Sequence, residues 1–307
     1  MRFLCHSVIP LVLSCTLVHA QAPAKTASSV DQAIDLAAKH HCDEALPVLN
    51  NAVPNLNDRQ LKYRALMAVE RCATYQGDGK ATVNALMALR HEFPKDPEVL
   101  YLTTQVFLEI AEHASRELAS IAPDSYQVRE LQAENLETQN KWEESAAIYR
   151  KILEEKPDLP AIHFRMGRAL LSLPETPANV DQARKAFEQE LVIDPTNASA
   201  EFWIGEIARR NAQWAAAVPH FTSAMKLDPR LVEAMLALGM TFNSEERFSD
   251  AVSPLENYTK AVPDDPAGHY QLAIAYLRVG RKEDSMREKA MVQQLSEGSS
   301  GQPSSPQ

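Results

Sequence analysis

From residue 126 onward the apolar residues recur with the 3.6-residue period of a helix, in short segments that come in pairs. In 232–244, VEAMLALGMTFNS, the residues Met235, Leu238, Gly239 and Phe242 fall at i, i+3, i+4 and i+7, which is one face of a helix. The next segment, 249–261, SDAVSPLENYTKA, places Ala251, Leu255 and Tyr258 on a second helical face after a short turn at Glu245–Phe248. Pro254 is expected early in that second helix, where a missing N–H does little harm, and Pro219 stands one repeat earlier.

Each pair of segments closes at a proline, at Pro123, Pro157, Pro195, Pro229 and Pro263. Proline cannot continue a helix and pushes the preceding residue out of the α region, so each one marks a helix end. The spacing is 34 residues, lengthened once by about four residues around LPETPAN (173–179). Small residues recur in step: Gly167, Gly205, Gly239 and Ala273 share one position, and Ala183, Ala217 and Ala251 another, with Ser285 after them. Phe187, Phe221 and Leu255 share a third. Two helices approach closely only where a side chain is small, and a large residue then fills the next layer. Neither helix of a pair can bury its face alone, so the pairs must stack.

This skeleton resembles the tetratricopeptide repeat, a 34-residue helix-turn-helix with Gly or Ala at position 8, Ala at 20, a large apolar residue at 24 and Pro at 32. The resemblance covers nearly all of 26–295. It is most specific in units 198–231 and 232–265 and good in 126–159 and 160–197, with 266–295 as a last unit. In 126–159 Ser145 replaces the expected Ala, and in 160–197 Glu190 takes a position that is usually small. Units 26–57 and 63–96 are more degenerate, and 97–125 reads as a contracted unit with a shortened turn near Glu112–Ser115. The implied fold is all-α, a right-handed α-solenoid of helical hairpins with a concave groove. The implied function is non-catalytic: a scaffold or adaptor of the exported bacterial type that binds a protein or peptide. The alternatives are a structural subunit or lipoprotein of a cell-envelope complex, and an accessory that binds glycan.

The family lines its groove with positions 2, 5, 9 and 12 of each first helix. Among these positions the resemblance singles out Phe164, Arg168, Phe202, Glu206, Arg209, Leu236, Met240, Asn243, Tyr270 and Ile274. The other reading of each apolar member is packing against the neighbouring helix. The family's carboxylate-gripping set of Lys, Asn and Arg is missing, because Phe202 and Leu236 stand where polar residues are needed.

The N-terminus is a separate object. Arg2 precedes an apolar run, Phe3–Val18, and Val18-His19-Ala20 offers small residues for cleavage, so residues 1–20 read as a secretory signal peptide. An uncleaved anchor, or lipidation at Cys15 within Val12–Cys15, are the alternatives. Export to the periplasm or medium leaves Cys42 and Cys72 as an even pair in an oxidising compartment. In stacked hairpins these two fall at one edge of neighbouring units, so a bridge is expected, with two buried free thiols as the alternative. No later segment is apolar and long enough to span a bilayer. Residues 296–307, SEGSSGQPSSPQ, offer nothing to bury and read as a disordered tail.

Composition narrows the partners. The 307 residues carry a formal net charge of -10, which repels nucleic-acid phosphates and anionic membranes. No catalytic constellation stands out. GDGK (77–80) lacks the spacing of a phosphate loop and reads as a turn between helices. There is no H-E-x-x-H and no G-x-S-x-G. In KHHCDE (39–44) neighbouring side chains point in different directions, so no metal site is expected, and no cofactor is implied.

Overall fold

The computed structural model describes residues 22–300, with side chains over 28–297. The expected signal segment 1–20, Cys15 within it, and the last part of the expected tail, 301–307, lie outside the described residues. Regular structure among the described residues is helical throughout. The chain divides into two compact units, Met1–Glu117 and Leu118–Gln307.

In the first unit, hairpins form from α1 (Ala22–Ala38) with α2 (Cys42–Ala52) and from α3 (Arg59–Tyr75) with α4 (Gly79–Glu92). Their core joins Val30, Ala33, Ala37, Ala45 and Leu49 to Ala65, Ala68 and Cys72. Leu66, Leu86 and Leu89 form a second cluster with Val99, which begins α5 (Pro97–Ile121).

The second unit stacks five hairpins: α6 (Tyr126–Thr138) with α7 (Trp142–Glu155), α8 (Ile162–Leu171) with α9 (Pro177–Ile193), α10 (Ala198–Arg210) with α11 (Trp214–Leu227), α12 (Val232–Ser244) with α13 (Phe248–Ala261), and α14 (Pro266–Arg278) with α15 (Lys282–Ser300). Phe187, Phe221 and Leu255 are each fully buried. They occupy the space that the small residues of the first helices leave open.

Six hairpins turn in one way. His40, Gly77, Asn140, Ala212, Glu246 and Gly280 share one register position, and each has a left-handed φ between 54° and 86°. The residue after each donates its N–H five residues back, as Arg247 does to the Phe242 carbonyl (2.8 Å) and Gln213 to that of Ala208 (2.9 Å). This Schellman closure satisfies carbonyls that the helix end leaves without partners. GDGK is one of these turns. Gly77 supplies the left-handed residue, and the Asp78 carboxylate caps α4 by accepting from the Ala81 N–H at 2.9 Å. Only two of the six positions are glycine, which is why the turn is weakly marked in sequence.

Three expectations are corrected, and the departure at Glu190 is explained. Residues 97–125 hold no contracted hairpin, because α5 runs unbroken through Glu112–Ser115. The stretch AEHASREL (111–118) contains no Gly, Pro or Asn to stop it, and the Ser115 hydroxyl bonds back to the Ala111 carbonyl at 2.8 Å. The tail expected from residue 296 is helical through Ser300. Pro219 and Pro254 lie inside α11 and α13, in the second turn, beyond the positions where an N–H has no helical acceptor. Glu190 is buried for a reason of its own. Its carboxylate accepts from the N–H groups of Ala161 (2.8 Å) and Phe164 (3.2 Å), capping α8 from a distance where Ala161 has no capping side chain.

Candidate functional site

The predicted groove residues separate into two groups. Phe202, Glu206 and Arg209 of α10 and Leu236 and Met240 of α12 line one groove of about 460 Å³ between these first helices of neighbouring hairpins. Phe164, Arg168, Asn243, Tyr270 and Ile274 do not line it.

Helical spacing explains the first group. Phe202, Glu206 and Arg209 lie at i, i+4 and i+7 on α10, so they share one face. Leu236 and Met240 stand at i and i+4 on α12. Phe202 is half-buried, its ring 5.9 Å from that of Phe221 and 5.3 Å from that of Trp203. Its inner edge therefore belongs to the core and its outer edge to the groove.

The polar wall is preorganised. Glu206 is only 8% exposed. Arg209 donates to it through Nε (2.7 Å) and Nη2 (2.8 Å), and Arg210 through Nε (2.9 Å). Burial by itself pushes the Glu206 carboxyl up, but the two guanidinium groups outweigh it and hold the pKa below the usual carboxylate range. The same hydrogen bond raises Arg209 despite its partial burial. Three charges thus form one cluster in which both Glu206 oxygens accept guanidinium hydrogen bonds, and the cluster bears one net positive charge.

Glu233, at position 2 of its unit, also lines the groove, and position counting missed Trp203, Arg210, Val232, Ala237, Tyr258 and Val262, which line it too. Arg210 was visible as the i+4 partner of Glu206. Tyr258 lies on α13, the second helix of the next hairpin, and Val262 caps that helix's C-terminal end; only the stacking brings them in. The Tyr258 hydroxyl donates to Asp265, and burial together with that carboxylate pushes its pKa up, so the groove meets its ring rather than an available hydroxyl.

The remaining predicted residues have other surroundings. Phe164 is half-buried, with its ring 5.6 Å from Phe187, and so belongs mainly to the core. Arg168 is exposed. Asn243 donates from Nδ2 to the backbone and side-chain oxygens of Gln271, both at 3.0 Å, which ties α12 to α14. Tyr270 is 54% exposed, and Ile274 is partly buried. Cys42 and Cys72 are bridged, with their Cα atoms 5.3 Å apart, joining the first hairpin to α3. Among the described residues no group of three or more His, Cys, Asp or Glu is placed to hold a metal, and no helix is long and apolar enough to cross a membrane.

Residues 204–266 match the tetratricopeptide repeat family. No curated protein matches the chain. Among solved structures, a MamA from Desulfovibrio magneticus RS-1 superposes with a TM-score of 0.52 at 16% identity, over 57% of this chain and 97% of that one. YrrB superposes with a TM-score of 0.51 at 19% identity, over 59% of this chain and 92% of its own; it is described as a TPR protein with an unusual peptide-binding site. At these identities the likeness is one of fold. Residues 204–266 thus carry tetratricopeptide repeats, and the fold is the α-solenoid of helical hairpins seen in these solved structures.

Proposed function

We propose that this chain is a non-catalytic scaffold that holds a peptide segment of a partner protein in the groove between α10 and α12. The observation that carries this reading is the make-up of that groove. Phe202, Leu236 and Met240 offer apolar contact, and Glu206, Arg209 and Arg210 form a fixed polar wall beside them. An apolar anchor beside preorganised hydrogen-bonding groups suits an extended or helical peptide. YrrB, similar in fold, is described as having a peptide-binding site, which fits the same use. The chain acts outside the cytoplasm, with residues 1–20 as its signal segment. The Cys42–Cys72 bridge suits an oxidising compartment.

The test is cross-linked capture from the exported-protein fraction by the tagged chain and by a Leu236→Ser/Met240→Ser variant. Circular dichroism would verify that the variant keeps its helix content. Overlapping synthetic peptides of any captured protein are then titrated against both forms. Binding of one peptide to the wild type with at least a tenfold loss in the folded variant supports the groove. Equal binding by both removes it.

A further inference from the structure

In the second unit, the second helices α7 and α9 leave a cleft of about 180 Å³ between them, with α8 beneath. Helical spacing sets its surfaces. His163, Met166 and Leu170 stand at i, i+3 and i+7 on one face of α8, and Gln182, Lys185 and Gln189 at i, i+3 and i+7 on one face of α9. Leu170 and Ala186 are buried, and Met166 packs on the core clusters to either side, so the floor is apolar and fixed. The His163 ring is held by the Pro157 carbonyl, 2.9 Å from its Nε2.

The rim is charged with one sign. Besides His163, the titratable side chains that line the cleft are Arg150 of α7 and Lys185 of α9, and no carboxylate lines it. That runs against the chain as a whole, whose 41 acidic residues outnumber 31 basic ones. Arg150 is exposed and forms no ion pair among the described residues. Lys185 pairs with Asp181 at 2.8 Å, one turn back on its own helix, where the two side chains are 65% and 46% exposed. An ion pair so exposed contributes little, and Asp181 keeps Arg184 as a second partner at 2.8 Å. Lys185 can therefore exchange it for an anion in the cleft.

We infer that this cleft is a second docking site of the chain, for a segment of a partner protein that carries a carboxylate beside an aromatic or aliphatic side chain. Size selects a protein segment over a small molecule. Small-molecule pockets hold about 300–1,000 Å³, and this cleft is smaller, with room for one or two side chains. The apolar side chain rests on Met166, Leu170 and Ala186, and the carboxylate lies between Arg150 and Lys185, where the guanidinium can grip it with two hydrogen bonds. Charge complementarity selects an acidic segment over a neutral or basic one. None of the residues here lines the groove between α10 and α12, so either site can fail without the other.

The experiment is fluorescence anisotropy of labelled hexapeptides titrated with the full chain at low salt. One set carries Glu next to, or three residues from, a Phe or a Leu; matched sets carry Gln or Lys in place of Glu. At least one Glu peptide should saturate with a Kd below about 1 mM. It should bind at least tenfold more tightly than its Gln counterpart, and the Lys counterpart should not bind. Arg150→Gln/Lys185→Gln should weaken the Glu peptide at least tenfold. Both side chains are exposed, and circular dichroism verifies that the variant keeps its helix content. Lys151→Gln removes the same charge from α7 outside the cleft and should weaken binding less than twofold. Leu236→Ser/Met240→Ser should bind the Glu peptide as wild type does, which separates this site from the groove. The inference is overturned if no Glu peptide saturates, or if Glu and Gln peptides bind equally. It is equally overturned if Lys151→Gln costs as much as the double variant, or if Leu236→Ser/Met240→Ser abolishes the binding.

Discussion

Replacing Gly239 with alanine tests the physical basis of the repeat. A Cβ at this position would sit 2.3 Å from Leu255 Cγ and 2.5 Å from its Cδ2. Cγ is held by the first side-chain torsion, so rotating the tip of Leu255 relieves nothing. Leu255 is fully buried and has no space into which to retreat. Overpacking of this kind costs about 1–3 kcal/mol. The better helix propensity of alanine offsets about 1 kcal/mol of that. The net expectation for Gly239→Ala is a loss of about 1 kcal/mol, and up to about 2 kcal/mol if the backbones of α12 and α13 must part. A double-mutant cycle makes the reasoning sharp. Leu255→Ala alone should cost about 2–5 kcal/mol through its cavity. In that background Gly239→Ala should reverse sign and stabilise by about 1 kcal/mol, because only the propensity gain remains. Urea unfolding followed by circular dichroism reads all four proteins, and Gly79→Ala, which meets nothing within 4 Å, is the control. If Gly239→Ala matches Gly79→Ala, or costs the same with and without Leu255, close helix approach is not what selects the small residue. The last hairpin already carries this substitution. Ala273 stands at the same position, where the residue opposite is the exposed Lys289 instead of a buried Phe or Leu.

Two further predictions concern each unit in turn. The Cys42–Cys72 bridge closes a loop of 30 residues, which restricts the unfolded chain by roughly 3.5 kcal/mol; Cys42→Ala/Cys72→Ala should therefore lower hydrogen-exchange protection in α1–α3 and leave that of α10–α13 unchanged, and unaltered protection in α1–α3 would refute the staple. In the second unit the folded-state pKa of Glu206 is depressed, so its ion pairs contribute stability above the ordinary carboxylate pKa, a contribution lost as pH falls through the lower folded value. Glu206→Gln should be less stable than wild type at pH 7 and should lose less on acidification below about pH 4.5; parallel pH curves for the two proteins would show that Glu206 carries none of the acid sensitivity.

Much of the architecture was legible because stacking writes itself into sequence at a fixed interval. The alternation of Gly205, Ala217 and Phe221 with Gly239, Ala251 and Leu255 records which helix faces touch, since close approach tolerates few side chains. Other features follow from local structure and contacts that no interval records. Glu190 interrupts the pattern at a small-residue position, and only the fold reveals that its carboxylate finds the bare N-terminus of α8. The shared left-handed turn was hidden because His40, Asn140, Ala212 and Glu246 adopt it without glycine. The prolines of α11 and α13 sit a turn deeper than their local signal suggested, because tertiary packing holds those helices through the lost bond. The missing hairpin at 97–125 was masked by its closing Pro123, which ends α5 whether or not a turn precedes it.

For the groove, sequence supplied the register and structure supplied the membership. Helical period alone places Phe202, Glu206 and Arg209 on one face, and the 34-residue repeat aligns Leu236 and Met240 with them. Which side chains turn inward, and which cap, pair or pack elsewhere, depends on atoms brought together from distant parts of the chain. Asn243 is claimed by Gln271 and Phe164 by Phe187, while Tyr258 and Val262 join the groove from α13 and its C-terminal end. Sequence determined the fold class, because it follows from local helical periodicity and its recurrence. Tertiary structure decided the burial and charge of Glu206 and the capping by Glu190, because each depends on which neighbour is present across a gap that local periodicity does not describe.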